Sequence, residues 1–264
     1  MKLSIIIVSW NTAALLEQCL NSLKSEILNP KFETEIIVVD NGSTDGSREI
    51  AKEFKIRLIE NKDNLGFAKA VNQALRQAQG EVFLLLNSDT QVKPEALEKL
   101  IEFENLVRPA VVGARMLDSD GTIQGSCFYL PTVKRAILEY WLGKKNYFSK
   151  YAPQGKNPVE VEAVSGGAMM ISREVIDKIG LFDERFFMYF EDLDYCRRAK
   201  KAGFKIYYLP TVEIIHEHGA SGKNLVKSEE QWKRLIPSSK IYHGQIRYNL
   251  INFILWSGQK CLIG

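Results

Sequence analysis

The apolar run from Leu3 to Val8, interrupted only by Ser4, has the texture of a strand buried on both faces. After Ser9-Trp10-Asn11-Thr12, the residues Leu15, Leu16, Cys19, Leu20 and Leu23 recur at helical spacing, with Asn11 or Thr12 as the expected cap. The alternation then repeats: strand Glu35 to Val39, helix Ser47 to Phe54, strand Arg57 to Ile59, helix Gly66 to Ala78, strand Val82 to Leu86, helix Pro94 to Leu106. Pro94 suits a first helical turn. A βαβα order predicts an α/β fold around a doubly wound, mostly parallel sheet with right-handed crossovers.

From Ala110 the texture changes. Val111 to Leu117, the turn Asp118-Ser119-Asp120-Gly121 and Ile123 onward read as a hairpin, because Asp-Gly is a strong turn signal. Gln124 to Glu160 reads as a loop rich in aromatic and basic residues. Order resumes at Val161 to Ile171, followed by a short helix near Glu174 to Ile179 and a helix over Glu191 to Ala202. That last helix has acids in its first turn, bases in its last turns and Gly203 just beyond, as the helix dipole and C-cap favour. Phe204 to Leu209 and Val212 to Ile215 read as two strands, and the chain past Gly222 as a basic, aromatic helical tail. The expected domains are therefore 1–221 and 222–264.

In doubly wound sheets ligands sit beyond the carboxyl ends of the strands, and three polar clusters fall there. Ser9-Trp10-Asn11 follows the first strand, Asp40-Asn41-Gly42-Ser43 the second, and Asn87-Ser88-Asp89 the strand ending at Leu86. Asp40, with Asn41 and Ser43, offers acceptors and amides suited to a base or ribose edge. Asp89 is a hard oxygen ligand on a rigid strand end, placed to hold Mg²⁺ or Mn²⁺ against a diphosphate; its bland reading is a cap for the Pro94 helix or a residue that shapes a turn. Glu191, Asp192 and Asp194 cluster behind the apolar Phe186-Phe187-Met188-Tyr189-Phe190, and apolar surroundings raise carboxylate pKa values towards those of a general base. His216 and His218 face one side of an extended chain, as metal ligands, phosphate donors or ordinary structural histidines.

Composition narrows the classes. The chain has 264 residues, 45% hydrophobic and 25% charged, with 35 Lys and Arg against 32 Asp and Glu, so net charge gives no reason to expect a nucleic-acid partner. No apolar run approaches the ~18 residues of a spanning helix, and no cleavage site follows Val8, so neither a membrane span nor export is expected. Four cysteines without a C-x-x-C pair predict neither zinc nor disulfides and fit a reducing cytosol. No G-x-G-x-x-G follows the first strand, against a nicotinamide-dependent oxidoreductase, and no Gly-rich triphosphate loop appears early, against a sugar nucleotidyltransferase.

The order and spacing of Ser4 to Asn11, Val38 to Ser47, Asn64-Leu65-Gly66-Phe67-Ala68, Leu86 to Thr90, Ser165 to Ala168, Glu191 to Arg198 and His216 resemble the family 2 glycosyltransferases, in particular the rhamnosyltransferase-like branch. The resemblance covers about Lys2 to Ser221 and implies the GT-A fold and an inverting enzyme using a nucleotide-diphospho-sugar. It implies that Ser9, Trp10, Asn11, Asp40, Asn41 and Ser43 hold the nucleoside. Gly66-Phe67-Ala68 would lie by the diphosphate, with Asn87, Ser88 and Asp89 completing the donor site. Asp89 and His216 would bind the divalent metal, Asp192 with Glu191 would supply the base, and Gly166 and Gly167 with Glu191 would meet the donor sugar and acceptor. The family's D-x-D motif reads Asn87-Ser88-Asp89 here, with one carboxylate in place of two. The implied partners are a UDP- or dTDP-sugar and a glycan or lipid-linked acceptor. The basic, aromatic loop Gln124 to Glu160 and the tail past Gly222 separately suggest a lipid-linked acceptor and peripheral association with an anionic membrane at its cytoplasmic face, the alternative for the loop being aromatics that pack on the domain. The remaining alternative is a non-catalytic nucleotide-sugar or glycan binding module on the same fold.

Overall fold

The structure is a computed structural model that describes residues 2–27, 31–54, 56–217 and 231–261. Along the first half run β1 (Lys2–Ser9), α1 (Ala13–Ile27), β2 (Glu33–Asp40), α2 (Ser47–Glu53), β3 (Arg57–Glu60), α3 (Phe67–Leu75), β4 (Val82–Asn87), β5 (Thr90–Val92), α4 (Ala96–Val107) and β6 (Ala110–Leu117). Then come β7 (Cys127–Phe128), α5 (Val133–Ala136), a π-helical turn (Ile137–Trp141), β8 (Val159–Glu160), β9 (Ala163–Val164), β10 (Ala168–Ser172) and α6 (Arg173–Ile179). The chain closes with α7 (Glu191–Lys201), β11 (Lys205–His216), α8 (Gln231–His243) and α9 (Gln245–Cys261).

The main sheet has the order β3-β2-β1-β4-β10-β6-β11-β5, with β8 added beside β11. The strands β3, β2, β1 and β4 are mutually parallel, β10 is antiparallel to both its neighbours, and β11 runs parallel to β6. The sheet is covered on both faces, which the side-chain period of two makes visible in β1. Ile6 joins the core with α3 and α7, while Ile5 and Ile7 join the core with α1 and α4. Each such fully buried side chain stabilises the fold by about 1.5–3 kcal/mol.

Several expectations change. The Asp118 to Gly121 turn closes as predicted, but its return arm makes only the bridge Leu117 to Ile123. The expected loop Gln124 to Glu160 contains β7, α5, the π-helical turn and β8. Phe204 to Leu209 and Val212 to Ile215 form one strand, β11, whose register shifts between Leu209 and Glu213, where Pro210 has no N–H for the ladder. Neither Asn11 nor Thr12 caps α1 by its side chain. The Ala13 amide donates to Asp45 Oδ2 at 2.9 Å, while Asn11 Oδ1 accepts from the Thr44 amide at 2.8 Å. Helix α4 begins two residues after Pro94 and is capped from another element, with Glu26 accepting from the Glu95 and Leu97 amides. Asp89 is therefore not that helix's cap. The predicted boundary at residues 221 and 222 and His218 lie outside the described residues.

Past β11, α9 returns to the middle of the chain. Ile251 and Ile254 form a small core with Ala136, supported by Val133, Ile137 and Tyr140. A Cβ on Gly258 would lie 2.5 Å from the Tyr140 carbonyl oxygen, so only glycine permits this approach of α9 to the π-helical turn.

Candidate functional site

Strand register assembles one edge. Ser9 pairs with Asp40, and Val8 with Asn87, so the three polar clusters emerge side by side at the carboxyl ends of β1, β2 and β4. A buried hydroxyl chain runs from Ser9 Oγ to Thr12 Oγ1 and on to Ser88 Oγ, each step 2.9 Å. Asp40 Oδ2 accepts from the Gly42 and Ser43 amides and from Arg48 Nε at 2.6 Å, while its Oδ1 is buried without a hydrogen-bond partner among the described residues. A buried acceptor left unsatisfied costs about 1–3 kcal/mol, so Asp40 Oδ1 is a place for a ligand's N–H. Ser43 Oγ accepts from the Asn11 amide at 2.9 Å, and Trp10 stays part-exposed next to them.

Two of the expected donor-site segments are engaged within the fold. Asn41 is buried with its amide fully engaged: it donates to Asn64 Oδ1 and the Gly66 carbonyl, and accepts from Asn61 Nδ2 and the Leu65 amide. It shapes the 61–66 loop. The Gly66-Phe67-Ala68 turn is likewise tied to its neighbours. The Gly66 amide donates to Asn64 Oδ1, the Phe67 amide to the Phe187 carbonyl at 2.6 Å, and Ala68 is fully buried. Gly66 has φ 86°, and a Cβ there would stand 2.5 Å from the Phe187 carbonyl oxygen, so this turn clamps the segment leading to the carboxylates. Gly66→Ala is expected to destabilise the fold by more than about 1 kcal/mol in denaturant melts, and an unchanged midpoint would mean the clamp yields freely.

That segment ends in two successive non-glycine residues in the left-handed region, Tyr189 and Phe190, both at φ 67°. Such residues cost of order 1–3 kcal/mol each and persist only where packing over-determines them. Phe190 is held by the rings of Tyr242 and His243, 5.3 and 5.8 Å away. The bend presents Glu191 and Asp192 on the first turn of α7. Asp192 Oδ2 accepts from the Gly166 amide at 3.1 Å and Oδ1 from the Leu193 amide at 2.8 Å. Glu191 is buried, and its Oε2 has no hydrogen-bond partner among the described residues. Burial, then the adjacent Asp192 charge, pushes Glu191 well above the usual carboxylate range, and burial raises Asp192 against the Gly166 hydrogen bond. The two amides on Asp192 favour its charged form, whereas Glu191 has no such hydrogen bond, so a proton held by the pair is favoured on Glu191.

A stability consequence follows from Glu191. Its folded pKa lies above its unfolded one, so between the two the folded state binds more protons and stability falls as pH rises. Glu191→Gln removes that ionisation. Its Tm relative to the parent should grow as pH rises above the ordinary carboxylate range, and a pH-independent difference would contradict a raised Glu191.

On the other side of Gly166, Gly167 accepts from the Asn87 amide at 3.1 Å, so this glycine turn joins the carboxylate pair to the strand end carrying Asp89. His216 Nε2 lies 3.4 Å from Asp89 Oδ1 and 3.4 Å from Asn87 Nδ2. Gln124 sets the imidazole tautomer. Its Nε2 donates to Asp118 Oδ1 and the His216 carbonyl, both pure acceptors, so its Oε1, 2.9 Å from His216 Nδ1, accepts a hydrogen bond from the Nδ1–H. The imidazole Nε2 is left facing Asn87 and Asp89, the nitrogen that a metal-binding imidazole would offer. One carboxylate and one imidazole fit a divalent cation that takes its other ligands from water and a diphosphate. Among the described residues no group of three or more His, Cys, Asp or Glu is gathered to hold a metal.

Several contributors carried no local signal: Arg48, Gln124, the Phe187 carbonyl and Lys150, whose charge lowers both Glu191 and Asp192. Gln124 and Lys150 belong to a segment without periodicity, and only their partners reveal them.

A mixed sheet with polar clusters at its strand ends and a helix-borne carboxylate is the architecture of a GT-A sugar-nucleotide transferase. Residues 4–180 match the profile of glycosyl transferase family 2; the chain belongs to that family and is a glycosyltransferase. It is similar to an N-acetylglucosaminyl-diphospho-decaprenol L-rhamnosyltransferase of Mycobacterium tuberculosis, 29% identical over 239 residues, 83% of this chain and 77% of that protein. It is also similar to a dTDP-rhamnosyl transferase of Shigella flexneri, 24% identical over 218 residues, 81% of this chain and 68% of that protein. Among solved structures, S. aureus TarS 1-349 in complex with UDP-GlcNAc superposes with TM-score 0.59 at 21% identity, over 97% of this chain and 70% of that one. GalNAc-T7 with UDP, GalNAc and Mn²⁺ superposes with TM-score 0.62 at 17% identity, over 82% of this chain and 44% of that one. At these identities the structures bear on fold alone.

Proposed function

We propose that this chain transfers rhamnose or a related hexose, with inversion, from a UDP- or dTDP-sugar to a hydroxyl of a glycan or lipid-linked acceptor in cell-surface polysaccharide synthesis. The rhamnosyl relatives support the sugar, and the decaprenol-linked acceptor named for the mycobacterial relative supports the acceptor class. A lipid-linked acceptor would bring the enzyme to the inner face of the cell membrane, in keeping with the free thiols of Cys19, Cys127 and Cys196. No described helix is long and apolar enough to cross a membrane.

The observation that carries the reading is Asp192, held by the Gly166 amide and joined through the Gly166-Gly167 turn to the strand ends. An acceptor hydroxyl is a poor nucleophile, and Asp192 takes its proton as the oxygen attacks the anomeric carbon from the face opposite the diphosphate. The protonated Glu191 beside it donates a hydrogen bond to a sugar hydroxyl. Asp40 Oδ1 accepts the imide N–H that uracil and thymine share. Ser9, Asn11 and Ser43 hold the surrounding loop. Asp89 and His216 would hold a Mg²⁺ or Mn²⁺ ion, which offsets negative charge on a departing diphosphate.

Calorimetric titration with UDP and with dTDP, each with Mn²⁺ and with chelator, tests this. Metal-strengthened binding of one of them is expected and names the nucleoside. No binding of either would favour the non-catalytic alternative.

A further inference from the structure

A cavity of about 460 Å³ opens between the start of α5, α7 and the C-terminal helices, lined among others by Leu130, Lys134, Arg197, His243, Arg247 and Ile251. It lies outside the donor site, yet Arg197 stands on the catalytic helix five residues beyond Asp192, about 7.5 Å of helical rise. Arg197 is paired with Asp194 and lies over the Tyr242 ring at 4.1 Å. Lys134 and Arg247 are exposed and form no salt bridge among the described residues. Burial, and then the Arg197 and Arg247 charges, pushes His243 down to about 4, so the imidazole is neutral and the cavity's charge is that of its Lys and Arg.

The outer side of the same helix is apolar. Ile246, Leu250 and Phe253 recur along α9 at helical spacing, and Ile246 and Phe253 are 85% and 54% exposed. Phe253 meets Trp141 edge to face at 6.4 Å and Trp256 at 6.2 Å, so the stripe continues as one aromatic patch into the π-helical turn, followed by exposed Leu142, Lys144 and Lys145. Residues 130–156 contain six Lys and Arg against the single acid Glu139, and residues 231–258 contain four against none. Exposed Trp and Phe rimmed by Lys and Arg is the pattern that settles at a bilayer interface rich in anionic lipid. A second copy fits poorly, because a two-fold contact would set these cations against each other.

We propose that this face, formed by α9 and the π-helical turn, lies on an anionic lipid bilayer, and that the Lys134, Arg197 and Arg247 cavity receives a phosphate of a membrane lipid. The docking face stands on its own geometry; assigning that phosphate to the acceptor rests on the lipid-linked acceptor reading. The phosphate then sits beside the helix whose first turn receives the acceptor hydroxyl.

The test is flotation of the full chain with vesicles of phosphatidylcholine alone or mixed with phosphatidylglycerol, at low salt. Binding to the anionic vesicles is expected, weakened by salt, and lowered at least about tenfold by I246D/F253D and by K134E/R247E. UDP and dTDP titrations of both variants, expected to be unchanged, separate a failed docking face from a failed donor site. Absence of parent binding at low salt, or indifference to both variant pairs, would overturn the proposal. A concentration-dependent dimer dissolved by I246D/F253D would replace the membrane by a second copy. Inorganic phosphate binding abolished by K134E/R247E while flotation persists would give the cavity to free phosphate and overturn its lipid assignment.

Discussion

Asp192→Asn should lower kcat by about 10²- to 10⁴-fold, the usual contribution of a positioned general base, while leaving nucleotide affinity unchanged. The amide keeps the size of the side chain and can still accept from Gly166, but it cannot take the acceptor's proton. Single-turnover transfer together with nucleotide titration checks this, and a matching fall in affinity would make Asp192 a donor-binding or structural residue instead. The pH profile adds a second reading. Burial raises Asp192, so activity should fall with acid at a pH above the ordinary carboxylate range. Lys150 lowers both carboxyls, so Lys150→Met should move that acid limb to higher pH. A limb that stays in place would mean that Lys150 is too well solvated to act on the pair.

Asp89→Ala should abolish the strengthening of nucleotide binding by Mn²⁺ while leaving the affinity measured with chelator nearly intact. The reason lies in the count of ligands. Among the described residues Asp89 and His216 alone converge, so a cation held by them depends on a diphosphate for further oxygens, and metal and nucleotide bind together. Gln124→Leu should reproduce part of this effect, weakening metal affinity by about 10- to 100-fold, because it frees the imidazole tautomer without touching the ligands themselves. Equal weakening with and without metal in Asp89→Ala would assign Asp89 to the loop instead of to a cation.

Much of the fold is written locally. The β-branched run of β1, the helical spacing after it and the strand-helix repeats through α4 are periodic patterns, and periodicity survives in a single sequence. The helix over Glu191 to Lys201 is equally legible, because its first-turn acids, late bases and following Gly203 are all local signals. The polar clusters at Ser9, Asp40 and Asn87 could be placed at one edge from the alternation alone, since parallel strands connected by helices end on the same side.

Tertiary structure decided the rest, wherever a residue's role is defined by a partner far along the chain. Only the structure shows Asn61, Asn64 and Leu65 engaging the Asn41 amide. Only the structure sets Phe187 against Gly66, 121 positions later in the chain. Gln124 and His216 meet across 92 residues. The insertion of β10 antiparallel in the middle of the sheet, and the return of α9 onto the π-helical turn, are likewise non-local pairings. Sequence by itself determined the elements and the side of the sheet on which the chemistry lies, because those follow from spacing along the backbone. Which polar atoms remain available to a ligand depended on hydrogen bonds closed across the fold.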